Sequence, residues 1–107
     1  MRPTRFYSKR QENKVAKQLG GRRIANSGAT KFSKGDVALK DWLIECKTCT
    51  ELKKSFSIKR EWIDKNREEA FAMNKSYSAL AIDFGDGEQH YLIDQNLFEA
   101  LVKMLNE

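Results

Sequence analysis

The clearest structural pattern in the chain lies in the segment Gly35-Asp36-Val37-Ala38-Leu39-Lys40-Asp41-Trp42-Leu43-Ile44-Glu45-Cys46-Lys47. Alternating side chains and a reversal at Lys40-Asp41 predict a two-stranded antiparallel ribbon. One side of this ribbon is wholly apolar and carries Val37, Leu39, Trp42, Ile44 and Cys46. The other side carries Asp36, Ala38, Leu43, Glu45 and Lys47.

This register places two carboxylates, Asp36 and Glu45, directly across from each other. Opposed side chains in an antiparallel pair have Cβ atoms about 4.5–5.5 Å apart, and like charges there are destabilising. A divalent cation offsets the repulsion, because Mg²⁺ and Mn²⁺ prefer carboxylate, carbonyl and water oxygens. Lys47 adds an ammonium on the same side. The pattern predicts a hydrolytic metal site, while an ion pair or solvated strand residues would also explain Glu-x-Lys alone.

Length and composition predict one domain, residues 1–107, in an ordinary soluble class. The 107 residues can build a single core, and a second copy would enlarge it; 40% of them are hydrophobic and 33% are charged. The sequence contains neither an apolar run of membrane-spanning length nor a secretory signal. We therefore expect a cytoplasmic protein without a membrane partner.

Charge is concentrated at the beginning of the chain. Residues 1–34 contain ten Lys or Arg against the single acid Glu12, whereas residues 35–107 contain ten against fourteen. A basic first third beside a carboxylate pair favours a polyanionic partner such as DNA. A solubilising basic face would explain the charge equally simply.

The two cysteines, Cys46 and Cys49, form a Cys-x-x-Cys motif, which can mark a redox pair or half of a zinc site. No second pair is present and His90 is the only histidine, so four zinc ligands cannot be assembled within one chain. We interpret both cysteines as small structural residues in a reducing compartment.

The first predicted helix contains a carboxylate on its apolar stripe. A capping box at Ser8 and Gln11 predicts where this helix begins, and Gly20-Gly21 predicts where it ends. Glu12 lies on the side that faces the body of the protein and therefore needs a partner. That partner is either an arginine such as Arg22 or a cation shared with the ribbon.

The remaining patterns complete an α/β fold. They predict a strand at 22–26, a hydroxyl-rich loop at 27–34, a helix at 58–74, strands at 76–84 and 89–93, and a last helix capped by Asp94. In the last helix we expect Leu97, Leu101, Val102 and Leu105 to face inward, and in the helix before it Trp62, Ile63, Ala70 and Met73. The order α-β-β-β-α-β-β-α predicts a five-stranded mixed sheet flanked by helices.

Across its whole length the chain resembles the archaeal-type Holliday junction resolvases of the PD-(D/E)xK nuclease superfamily, with Gly35 in place of the Pro. The resemblance rests on the element order and on five blocks: Glu12 in the first helix, Arg22-Arg23-Ile24-Ala25-Asn26-Ser27-Gly28-Ala29, Asp36, Glu45-Cys46-Lys47, and Lys59-Arg60. It implies a restriction endonuclease-like core and a single nuclease domain. The loop between Ser27 and Asp36 is longer than in cellular members, and the short chain suits a viral one acting in the host cytoplasm or nucleoid.

The resemblance also implies roles for individual residues. Asp36, Glu45 and the carbonyl of Cys46 would bind Mg²⁺, with Mn²⁺ as a substitute, and Lys47 would activate water and stabilise charge on phosphorus. Glu12 would assist through a second metal or a water. Ser27, or Ser33 as a rival, would lie near the scissile phosphate.

The implied substrate is a four-way DNA junction, cut by a homodimer without a small-molecule cofactor. The predicted DNA-binding residues are Lys9, Arg10, Arg22, Arg23, Lys31, Lys34, Lys59 and Arg60. Two alternatives stay open: a less selective endonuclease or nickase, and a DNA-binding domain without catalysis.

Overall fold

The computed structural model describes residues 2–24 and 36–107 of the chain. The elements are α1 (Thr4–Leu19), β1 (Arg22–Arg23), β2 (Asp36–Ala38), β3 (Trp42–Thr48), α2 (Arg60–Ala72), β4 (Tyr77–Asp83), β5 (Gln89–Leu92) and α3 (Gln95–Leu105). The strands form one five-stranded sheet in the order β1-β2-β3-β4-β5. Only β3 and β4 run parallel; the other neighbours are antiparallel. The predicted α/β class, mixed sheet and element order are confirmed.

The ribbon at the centre of the sheet has the predicted register. Asp36 pairs with Glu45, Val37 with Ile44, and Ala38 with Leu43. The apolar side forms the main core, in which Val37, Ile44 and Cys46 pack with Val15 of α1 and Ala81 of β4. Leu39 and Trp42 pack against this cluster, as expected from their side of the ribbon.

The two long helices cover opposite faces of the sheet. Val15 places α1 over the apolar face, whereas Asn66 of α2 donates a hydrogen bond to the carbonyl of Leu43 from the other side, at 3.3 Å. Asn66 and Ala70 are the buried residues of α2. Met73, which was predicted to face inward, is 39% exposed, because α2 ends at Ala72 and Met73 lies beyond its last turn.

The predicted start of α1 is wrong. The helix begins at Thr4, four residues before the expected cap, and the Ser8 hydroxyl donates to the carbonyl of Thr4 within the helix. Gln11 is buried, and its amide donates to the carbonyls of Lys47 and Ala81, both at 3.0 Å. These hydrogen bonds hold the Gln11 side chain against β3 and β4. It therefore cannot bond to the backbone amide of Ser8, as a capping box requires.

Glycines end α1 and turn the chain into the sheet. Gly20 adopts a left-handed conformation with φ of 72°, as predicted for a helix stop. A Cβ on Gly21 would lie 2.7 Å from the carbonyl oxygen of Ala38 and even closer to the Leu39 side chain. Only glycine therefore lets β1 approach β2 here.

The last helix differs most from expectation. Asp94 caps it as predicted, with its Oδ1 accepting from the amide of Leu97 at 2.8 Å. No residue of α3 is buried, and Val102 and Leu105, both predicted to face inward, are 37% and 85% exposed. Among the described residues, no helix is both long enough and apolar enough to cross a bilayer.

Candidate active site

Asp36 and Glu45 form a buried pair of carboxylates on the face of the sheet that α2 covers. They are directly opposed across β2 and β3, and their exposed fractions are only 1% and 7%. Apart from a proton shared with the carboxyl of Glu69, no described group donates a hydrogen bond to either carboxylate oxygen of Asp36 or to Oε2 of Glu45. Buried carboxylates normally have donors, so these oxygens are suited to a cation.

Burial is the main cause of an abnormal protonation state at Asp36. It raises the pKa of this carboxyl to about 9, with further contributions from the hydrogen-bonding contact and charge of Glu69 and from the charges of Glu45 and Glu12. At neutral pH the metal-free protein therefore holds Asp36 in its neutral form. At neutral pH, ionisation of Asp36 requires a positive charge to enter the site.

Glu69 is the residue of the site that sequence reasoning missed. It lies on α2, and its carboxyl group is within hydrogen-bonding reach of Asp36. Two ionised carboxylates cannot bond each other, so this contact exists only while one of them holds a proton. A signal was present: Glu69 follows Trp62 by seven residues and precedes Ala70, so helical periodicity places it on the inner face of α2.

Lys47 supplies a positive charge beside the pair. Its Nζ lies 3.6 Å from Oε2 of Glu45, an ion pair longer than a hydrogen bond. The same ammonium lies 4.4 Å from the centroid of the Trp62 ring. Burial raises the pKa of Glu45 even though Lys47 and Lys65 act to lower it. Trp62 and Glu45 thus hold the ammonium between helix and sheet.

Glu12 faces the body of the protein, as predicted, and forms an ion pair. Its Oε1 accepts from Nε of Arg23 at 3.0 Å, so the expected arginine partner is correct in kind, but it is Arg23 rather than Arg22. Opposed residues share a face, and Arg23 opposes Val37 while Arg22 opposes Ala38. Only Arg23 therefore lies on the α1 side of the sheet.

The described residues do not place a third side-chain ligand for a metal ion beside the pair. Within 2–24 and 36–107, no set of three or more His, Cys, Asp and Glu side chains is arranged to bind a metal ion. The buried pair would thus need backbone carbonyl or water oxygens to complete its coordination. Cys46, whose carbonyl was predicted as a ligand, turns its thiol into the apolar core, where burial raises the thiol pKa. Both cysteines are free thiols.

Most of the predicted DNA-binding residues that the structure describes are exposed. These are Lys9, Arg10, Arg22, Lys59 and Arg60. Arg22 extends from the same sheet face as Asp36. Lys59 and Arg60 stand at the start of α2, six and five residues before Lys65. Arg23 is different, because its ion pair with Glu12 occupies the guanidinium.

Ser27, Ser33, Lys31 and Lys34 lie outside the described residues, so the structure places none of them. Comparison of the chain with protein-family models, with curated proteins and with solved structures returned no match.

Proposed function

We propose that this chain is a divalent-metal-dependent endonuclease with a restriction endonuclease-like core that cuts four-way DNA junctions. The observation that carries the proposal is the buried pair of Asp36 and Glu45: both oxygens of Asp36 and Oε2 of Glu45 lack N–H or hydroxyl donors among the described residues. Such a pair is destabilising unless a cation binds it. The adjoining Lys47 and the resemblance described above make phosphodiester hydrolysis the chemistry that best explains this arrangement.

The carboxylates would hold one Mg²⁺, with Mn²⁺ as a substitute, together with the carbonyl of Cys46. A bound cation supplies Lewis acidity toward a phosphodiester oxygen. Asp36 must give up its proton for this, and Glu69, which is in contact with it, would pass that proton on to solvent. Glu45 is paired with the Lys47 ammonium, whose charge favours the ionised form of this carboxyl.

Lys47 would orient a water for attack on phosphorus and stabilise the negative charge that develops there. Its ammonium is restrained by Glu45 on one side and by the Trp62 ring on the other. Water adds to phosphorus as the bond to the 3′ oxygen breaks, which leaves a 5′-phosphate and a 3′-hydroxyl. No covalent enzyme intermediate is needed.

Binding of DNA would depend on the exposed basic residues around the site. Arg22 on one side and Lys59 with Arg60 on the other can contact backbone phosphates on either side of the scissile bond. Symmetrical cuts in two strands require two sites, so the active form would be a homodimer acting on branched DNA in the cytoplasm. Glu12 would assist from α1, since its charge acts on Asp36.

The test is incubation of the purified protein with a synthetic four-way junction and with a linear duplex of matched length, each with Mg²⁺ or with EDTA. We expect paired nicks in the junction with Mg²⁺ alone. Asp36→Asn should abolish cutting while junction affinity is retained or improved. Asp41→Asn, an exposed acid of the same ribbon, is the matched control and should cut normally.

Each other outcome selects a different function. Equal cutting of duplex and junction would identify a less selective endonuclease. Binding of the junction without cutting under any metal would identify a DNA-binding domain. Loss of junction affinity in Asp36→Asn would contradict the assignment of this acid to catalysis.

A further inference from the structure

The apolar side of α3 is uncovered among the described residues. Phe98, Met104 and Leu105 are 58%, 66% and 85% exposed, and no residue of this helix is buried. A helix of 11 residues is marginal in water without tertiary packing of its apolar face. Both α1 and α2, in contrast, bury residues against the sheet. This face of α3 therefore needs a partner.

An apolar groove of about 340 Å³ lies directly beside α3. It is lined by Leu19, Leu39, Trp42, Ile44, Ala79, Tyr91, Ile93 and Leu101. Leu101 belongs to α3, so the groove adjoins the exposed apolar side chains of this helix. Phe98, Met104 and Leu105 form a ridge there. One continuous surface thus presents both a projection and a depression, neither of which is polar.

The size of this surface matches what a protein interface needs. The exposed parts of Leu19, Tyr91, Phe98, Val102, Met104 and Leu105 offer on the order of 600 Å², against about 800 Å² buried per partner in an interface of standard size. The partly exposed groove walls not counted in this sum, Leu39, Trp42, Ile93 and Leu101, add to it. It also reaches the upper end of the largest apolar patch on a typical monomer, about 300–600 Å².

We propose that this α3 surface is the docking site for a second copy of the chain. A ridge beside a groove is self-complementary, because a two-fold axis between two copies places each ridge in the groove of the other. The charged residues of α3 itself are one acid and one base, Glu99 and Lys103, so this helix has no net charge that would oppose the contact. A partner of another kind would be revealed by a monomeric chain.

This arrangement leaves both candidate active sites open. The groove lies on the face of the sheet that bears Ile44 and Ala79, whereas Asp36 and Glu45 face α2 on the opposite side. The inference adds to the proposed function only in naming the surface that would join two nuclease sites. Its test needs neither DNA nor metal, so its failure and the failure of the nuclease assignment are distinguishable.

The test is the molar mass in solution, measured by light scattering and sedimentation over a range of micromolar concentrations. We expect wild type at twice the chain mass of 12.4 kDa. Phe98→Glu should weaken the dimer by about 100-fold or more, since two-fold symmetry places the new charge in the contact twice. Leu52→Glu alters a side chain that is 70% exposed and far along the chain from α3, and should remain dimeric.

Circular dichroism confirms that each variant is folded, and Leu105→Glu provides a second disruption at the most exposed position of the ridge. A wild type that stays monomeric over the whole range overturns the proposal. So does a Phe98→Glu or Leu105→Glu protein that dimerises as tightly as Leu52→Glu.

Discussion

The carboxyl group of Asp36 on β2 contacts that of Glu69 on α2, although both residues are acids. The contact is stable only while a proton lies between them. Ionisation of both acids would therefore need an added positive charge, close to the ion pair of Glu45 and Lys47. Five predictions rest on this arrangement and on the charges around it.

Asp36→Asn should stabilise the metal-free protein at neutral pH. The folded pKa of about 9 lies above the ordinary value of 3.8, so the stability that this group contributes is full below the ordinary value and is lost as pH rises toward 9. An amide of the same shape avoids that loss. We expect a gain of about 1–3 kcal/mol in the free energy of unfolding at neutral pH, measured by urea denaturation with EDTA.

The gain should vanish in acid near the ordinary pKa, where wild type is neutral at this position in both states. Asp41→Asn should show no such pH dependence. A variant that is less stable than wild type at neutral pH would contradict a neutral Asp36.

Mg²⁺ binding should release protons and tighten as pH rises. Asp36 holds a proton in the metal-free protein below a pKa of about 9, and the ionised form is the ligand. Calorimetric titration in buffers of different ionisation enthalpy gives the number of protons released per ion bound. A binding heat that does not depend on the buffer would mean that Asp36 is already ionised.

Glu69→Gln should allow the cation to bind at lower pH. Glu69 acts on Asp36 both by its hydrogen-bonding contact and by its charge, and each raises the pKa of Asp36. Removing the charge lets Asp36 ionise earlier, so the pH midpoint of metal binding should fall. Glu68→Gln changes an exposed neighbour on the same helix and should leave the midpoint unchanged. Much weaker binding at every pH would instead make Glu69 a direct ligand.

Trp62→Leu should slow cutting more than it weakens metal binding. The ring holds the Lys47 ammonium at 4.4 Å from its centroid, and such a contact contributes about 0.5–2 kcal/mol. We expect kcat to fall by a few-fold to about tenfold, with the Mg²⁺ affinity nearly unchanged. Trp62→Phe keeps an aromatic face and should retain more activity. Equal rates for Leu and Phe would remove the ring from the positioning of Lys47.

Junction affinity should fall steeply with salt. If about six phosphates are contacted, the logarithm of affinity should decline with the logarithm of salt concentration at a slope of about −5. Neutralising the exposed Arg22 should make this slope less negative, whereas Arg23→Gln should act mainly through stability, because Arg23 is paired with Glu12. A flat salt response would exclude DNA as the partner.

Local patterns in the sequence were enough to predict the helices and strands, and to predict the pair of Asp36 and Glu45 in the site. Period-two alternation and the reversal at Lys40-Asp41 determined the sides of the ribbon, and with them the opposition of Asp36 and Glu45. Helix stops at Gly20 and caps at Asp94 are likewise local, since they depend on backbone conformation within a few residues.

The side-chain contacts of these residues depend on tertiary packing, which local patterns do not contain. The contact of Glu69 with Asp36 and the choice of Arg23 over Arg22 for Glu12 depend on how α1 and α2 lie across the two faces of the sheet. An amphipathic pattern shows that a helix has an inner face but not whether anything covers it. That is why Leu105 follows the pattern of a core residue and is nevertheless 85% exposed.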